Sequence, residues 1–203
     1  MLGRSTALAS LVLLGSLAAP ASVQAQVHLD LGPVAGFYAP TTDFQSIQPF
    51  FAPRWKQAIS IAYGAQGTLW HRHLGITASY IVAPSDVKVN GSTGPNLDAS
   101  IKVAALQALL ALEVGDLANT VQLSAGVARV LRGGAAYRDY DGLASTALTL
   151  GVGGRFELLP RLDLDLGLSG LMYSLKLTSG ATATRSSSQV DLIGRAGLML
   201  RLL

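Results

Sequence analysis

Eight stretches of this chain place apolar residues at every second position, and the gaps between them run long, short, long, short from first to last. A period of two is that of a β-strand whose two faces meet different surroundings. In the first stretch, Val27 to Ala39, one phase holds Val27, Leu29, Leu31, Ala35 and Phe37, and the other His28, Asp30, Gly32, Gly36 and Tyr38. The second, Gln57 to Trp70, sets Ile59, Ile61, Tyr63, Ala65 and Leu69 against Ser60, Gly64, Gln66 and Thr68. The third, Leu74 to Ala83, sets Leu74, Ile76, Ala78, Tyr80 and Val82 against Gly75, Thr77 and Ser79. The fifth (Thr120 to Leu131), sixth (Ser145 to Leu158) and eighth (Ser188 to Leu202) repeat the pattern. The seventh is the plainest, with Leu162, Leu164, Leu166 and Leu168 alternating with Asp163, Asp165, Gly167 and Ser169.

The fourth stretch, Ser100 to Val114, is apolar in both phases, and its Ala and Leu content also suits a helix over Val103 to Val114. Gln107 and Glu113 share one phase opposite Leu106, Leu110 and Leu112, and both flanking stretches alternate. A strand with its even positions outward is therefore expected.

The connectors set the topology. His71-Arg72-His73, residues 115–119 and Leu159-Pro160-Arg161 are short, whereas residues 40–56, 84–99, 132–144 and 175–187 are longer and richer in Gly, Ser, Asp and Asn. An even number of strands with short turns on one side and long loops on the other predicts an all-β fold, an eight-stranded antiparallel up-and-down transmembrane β-barrel. That layout belongs to a bacterial outer membrane, with both termini in the periplasm. Phe37, Trp55, Tyr80 and Tyr173 are expected in an aromatic girdle at the long-loop side, and Trp70 and Phe156 in one at the short-turn side. The alternative is a soluble lipocalin-like barrel, which would turn the leucines of the seventh strand inward and expose Asp163 and Asp165.

Composition fits the membrane reading. Hydrophobic residues make up 50% of the chain and charged residues 13%, yet beyond the N-terminal run no segment is apolar for long enough to span as a helix. Apolar residues at alternate positions reconcile the two. Arg4, the apolar run Ala7 to Ala19 and the small residues of Val23-Gln24-Ala25 read as an export signal over residues 1–25, with Ala19-Pro20-Ala21 as a second cleavage site. One barrel domain, residues 26–203, remains. Without Arg4, fourteen basic residues face twelve acidic ones, a balance that does not point to nucleic acid. With no cysteine there is neither a disulfide nor a Cys-based metal site.

An eight-stranded barrel has room inside only for side chains or one small ligand. The alternation turns His28, Asp30, Glu113, Arg155, Glu157, Asp163, Asp165, Arg195 and Arg201 inward, mostly in the short-turn half. Opposite charges so confined are expected to pair into a polar plug, because an unpaired buried ion costs several kcal/mol. Asp163 with Asp165, or Glu157 with Asp163, have the spacing of acid/base pairs. With arginines at hand and no nucleophile beside them, ion pairing is expected and no catalytic residue is assigned. His71 and His73 flank a turn with no third ligand close in sequence, so no metal site is expected, and nothing calls for a cofactor. Gly36, Ser60, Ser79, Gly126, Gly151 and Ser169, inward in the long-loop half, either leave a pocket or let a narrow barrel curve.

On this architecture and alternation, the chain resembles the small outer-membrane β-barrel proteins, the group that includes the OmpA membrane domain, OmpX and OmpW. The resemblance covers residues 27–203. One departure is the C-terminus: the family usually ends in an outward-phase Phe, whereas here Leu203 is terminal and the outward phase ends at Leu202. The resemblance implies contact with outer-membrane lipid and lipopolysaccharide, insertion by the outer-membrane assembly machinery, and a monomer. It leaves two roles open. One is a structural or surface-interaction barrel, plugged inside, with four outer loops. The other is an OmpW-like conduit, in which a small hydrophobic molecule enters at the loops and leaves through the wall. Lipid A deacylases and palmitoyltransferases are also eight-stranded, and the deacylases resemble one another in a late-strand His and Ser with an acidic partner. No histidine follows His73 here, so an enzyme is not expected.

Overall fold

The computed structural model describes residues 27–42, 55–89, 96–113, 119–138, 142–179 and 183–202. The export signal expected over residues 1–25 lies outside them. Strands β1 (Val27–Pro40), β2 (Ser60–His71), β3 (Leu74–Val89), β4 (Leu97–Glu113), β5 (Asn119–Gly133), β6 (Ala144–Leu159), β7 (Leu162–Ser179) and β8 (Ala183–Arg201) pair antiparallel, each with its neighbour in sequence. β1 pairs with both β2 and β8, which closes an eight-stranded barrel. A short segment, Trp55–Gln57, continues the line of β2 along the far end of β3.

Closure fixes the geometry. From Asp30 the register runs through Thr68, Thr77, Gln107, Gly126, Thr149, Leu171 and Asp191 to Pro40, back on β1 ten residues further along. A stagger of that size in eight strands tilts them by roughly 35–45° to the barrel axis. Strands so tilted approach closely where side chains are absent. A Cβ at Gly36 would sit 1.9 Å from the Gly194 carbonyl oxygen, and one at Gly126 2.1 Å from that of Leu106. Those glycines serve curvature, while Ile81, Ile101, Val103, Val130, Leu171 and Ile193 fill the lumen beside them.

The outside is apolar, and the inside mixes polar with apolar side chains. Ile61, Ile76, Leu106, Leu148 and Leu198 are among the large residues exposed on the wall, while Gln66, Thr68, Thr77, Gln107, Gln122 and Thr149 are buried within. The soluble alternative requires the reverse. In water such a wall would be an aggregating surface, whereas in lipid it is the ordinary outer belt of a barrel. Ala-rich β4 is a strand, and its even positions face outward.

Two-residue turns join β2 to β3 and β7 to β6. In the latter, Pro160 precedes Arg161 at φ 78°, the positive φ that a type II turn requires at its third position. Three of the four opposite connectors are shorter than the sequence pattern suggested, while the second strand starts later than expected, at Ser60 rather than Gln57. β3 runs on to Val89, β7 to Ser179, and β8 starts at Ala183. About ten tilted residues cross a bilayer, and a strand beyond the belt need not alternate apolar with polar, so pattern alone ends it too early. Trp70 and Tyr173 also differ from expectation. Both occupy the inward phase and are buried in the lumen instead of standing in a girdle; Phe37, Tyr80 and Phe156 are on the outer wall, and the side chain of Trp55, also expected in the girdle, lies outside the described residues.

Candidate functional site

The inward positions of β1, β6, β7 and β8 converge on Arg155 in the short-turn half. Its Nη1 lies 2.6 Å from Asp30 Oδ2, its Nε donates to Asp163 Oδ2 at 2.9 Å, and its Nη2 also pairs with Asp163. Two N–H groups on the Asp163 carboxylate and an ion pair with Asp30 fix the guanidinium between the two acids. Arg201, at the rim, adds contacts to Asp163 at 3.2 Å and Asp30 at 4.0 Å. Arg195 reaches Asp165 at 3.8 Å, and His28 lies 3.5 Å from Asp30. Trp70 closes the floor: the Arg155 guanidinium lies 5.6 Å from the centre of its ring, and His28 stacks on it at 6.3 Å.

Seven of the nine residues expected in the lumen are thus together: His28, Asp30, Arg155, Asp163, Asp165, Arg195 and Arg201. Glu113 and Glu157 are not. Glu113 ends β4, its side chain is 73% exposed, and His73 lies 3.9 Å away. Glu157 is exposed where a bulge interrupts the β6–β7 register just before the turn. Phase assigns a residue to a face, but at a strand end that face has already left the lumen.

A second polar cluster, which alternation did not assemble, lies toward the loops. Asp191 Oδ2 accepts hydrogen bonds from Tyr38 at 2.6 Å and from Tyr173, and Arg132 Nη2 stands 3.7 Å from the same oxygen. Arg132 also donates to the Tyr173 hydroxyl and lies 5.0 Å from the centre of its ring. Arg132 fell in an expected loop and Tyr173 in an expected girdle. The inward phase of Tyr38 and Asp191 was the available signal. Between the clusters, Gln107 donates to Thr149 at 2.9 Å, the Thr68 and Thr77 hydroxyls bond at 2.7 Å, and the apolar residues around Ile101 pack.

Above the second cluster the β5–β6 connector folds in as a cap. Gly134 takes φ 101°, a conformation that other residues rarely adopt, and starts a single 3-10 turn, Ala135–Tyr137. Ala136 and Tyr137 pack on Val87 and Ala99, and the Tyr137 hydroxyl donates to buried Gln57 at 3.1 Å. Burial pushes the Tyr137 phenol up to about 12, against the downward pull of the nearby Arg132 charge.

Four arginines (Arg132, Arg155, Arg195, Arg201) face four aspartates (Asp30, Asp163, Asp165, Asp191) among the described lumen residues, so the interior is electrically balanced. Among the described residues no group of three or more His, Cys, Asp or Glu is arranged to hold a metal. His71 and His73 are exposed at the turn.

No protein-family model matches the chain, and no curated protein matches it in sequence. Solved structures share its fold. The outer membrane protein OprG from Pseudomonas aeruginosa superposes with a TM-score of 0.65 at 12% identity, over 88% of this chain and 97% of that one. Escherichia coli outer membrane protein W gives 0.55 at 11%, over 89% and 100%. Neisserial surface protein A gives 0.51 at 13%, over 87% and 97%. The chain therefore has the fold of the small bacterial outer-membrane barrels, and its apolar belt fits that membrane.

Proposed function

We propose that this chain is a closed outer-membrane barrel with a structural or surface-interaction role, its lumen sealed by polar side chains and its loop end facing outward. The observation that carries the reading is Arg155, held by Asp30 and Asp163 across the short-turn half of the lumen. The Arg132, Asp191, Tyr38 and Tyr173 cluster supports it at the other end, with the 3-10 cap above. An ion path through eight strands would have to run between these side chains, in an interior that has little width to begin with. The reading includes export through residues 1–25, insertion by the assembly machinery, contact with lipopolysaccharide, a monomer and no catalytic step. Planar-bilayer recording tests the seal: small or absent currents are expected, and large, steady currents overturn it.

A conduit for a small hydrophobic molecule is the second reading. It is favoured by a gap in the β1–β8 ladder at Gly32 and Pro33, with the register unchanged on either side, where proline offers no N–H to the ladder. Buried Val34 and Met199 stand beside that seam. If molecules leave there, Met199→Ala increases uptake of an apolar dye into vesicles carrying the protein; unchanged uptake removes this reading.

A further inference from the structure

Among the strand residues whose side chains are described, Lys102 on β4 and Arg129 on β5 are the lysine and arginine that point away from the lumen, and both are exposed. The register makes them diagonal neighbours. Lys102 stands opposite Leu131, and Arg129 stands opposite Ala104 and Thr146. Long side chains so placed reach a common point.

Their position along the wall is equally specific. Toward the short-turn end, the outward residues are Leu106, Leu110 and Leu112 on β4, and Val127, Leu123 and Val121 on β5, all exposed and apolar. Toward the loops, β3 and β4 turn polar, with exposed Asp86 opposite exposed Asp98. Lys102 and Arg129 therefore mark the boundary of the lipid belt. A cation on the wall is strongly disfavoured at mid-bilayer and tolerated at the interface. Two side by side also repel unless an anion joins them, and neither forms an ion pair with a carboxylate among the described residues. Arg129 Nη1 donates to Thr146 Oγ1 at 3.1 Å, which holds the guanidinium along the wall with N–H groups left for a ligand.

We propose that Lys102 and Arg129 form a binding site for the phosphate of a lipid headgroup in the leaflet at the loop end. Arg129 supplies the directed donors and Lys102 the point charge. The proposal rests on the membrane-spanning reading.

The test uses the full chain folded in zwitterionic detergent micelles, where heat-modifiable gel mobility reports the barrel independently of lipid binding. Loss of that mobility shift would strike the barrel reading and not this site. Diphosphorylated lipid A, the same lipid stripped of phosphate, and inorganic phosphate are then compared by native mass spectrometry and by Tm. The phosphorylated lipid is expected to stay bound and raise Tm, and the stripped lipid to bind about ten-fold more weakly, the worth of one charge-assisted hydrogen bond. The double variant K102Q/R129Q should lose the same factor, whereas R138Q, in the cap, should not. If the double variant does not fold, the single variants K102Q and R129Q are read instead. Equal affinity for the two lipids, or unchanged binding by the glutamine variants, overturns the proposal. So does a Tm rise with inorganic phosphate equal to that with lipid, which would mark an adventitious ion only.

Discussion

Replacing Arg155 by alanine removes the group that neutralises two buried carboxylates at once. The Asp30 and Asp163 side chains are 0% and 2% exposed, and Arg155 itself 10%. Deleting one partner of a buried ion pair costs about 3–5 kcal/mol, because the remaining charge stays desolvated and unpaired. Two effects adjust that figure. Losing the stacking on Trp70 adds roughly 0.5–1 kcal/mol. Arg201, 3.2 Å from Asp163, remains and takes up part of the charge, but its side chain is 37% exposed, so solvent weakens its grip. The two roughly cancel, and a loss of about 3–5 kcal/mol is expected. Arg155→Lys keeps the charge without the fork, and should fall between the wild type and Arg155→Ala.

Reversible urea unfolding in lipid vesicles, followed by tryptophan fluorescence with Trp70 as an internal reporter, reads these differences. The combination Arg155→Met, Asp30→Asn and Asp163→Asn is the control, since it removes the whole charge set and should recover most of the loss. A folded Arg155→Ala protein within about 1 kcal/mol of wild type would refute the reasoning, because a buried and unpaired carboxylate cannot be that cheap.

With polar clusters at both ends of the lumen and apolar side chains packed between them, neither Arg155→Ala nor Arg132→Ala alone should give steady current in planar bilayers; full current from one single variant would leave the rest of the filling without a sealing role. Gly126→Val would drive a Cβ to 2.1 Å from the Leu106 carbonyl oxygen, so it should abolish the heat-modifiable barrel band, and a normal band would contradict the close strand approach. The raised Tyr137 phenol favours the protonated form in the folded state, so its contribution is complete below pH 10 and is lost as pH rises from 10 toward 12. Tyr137→Phe should flatten that part of the urea stability profile, and identical profiles for the two proteins would exclude it. A cysteine at Arg138 should react with an impermeant maleimide on intact cells and one at Arg161 should not; the reverse result inverts the barrel.

The phase of each strand was legible in the sequence because lipid and lumen impose opposite polarities on alternate residues. Leu162, Leu164, Leu166 and Leu168 against Asp163 and Asp165 leave one arrangement in a bilayer. Height along the barrel was less legible. Glu113 and Glu157 share the phase of lumen residues and yet lie at the rim, and Arg132 looked like loop because β5 continues past the belt. Alternation predicts that Arg155 and Arg201 pair within the acidic set Asp30, Glu157, Asp163 and Asp165, but which member Arg155 meets was not legible. Asp30 meets Arg155 across the lumen only once the stagger of the closed barrel is fixed, and alternation within single strands carries no information about that stagger.

The same stagger explains why one strand serves both seals. β8 descends from the loop end, so Asp191 meets Tyr38 near the end of β1, while Arg201 lies opposite Asp30 near its start. Both contacts therefore depend on the one register that closes the barrel, between its first strand and its last. A slip of a single residue would turn either Asp30 of β1 or Asp191 and Arg201 of β8 toward lipid, where a charge is penalised more the deeper it lies. The buried ions add little as ion pairs compared with an apolar filling, since desolvation offsets most of their attraction. What they do supply is discrimination against misclosure, because the native register brings Asp30 of β1 to Arg155 and Arg201, and Tyr38 of β1 to Asp191.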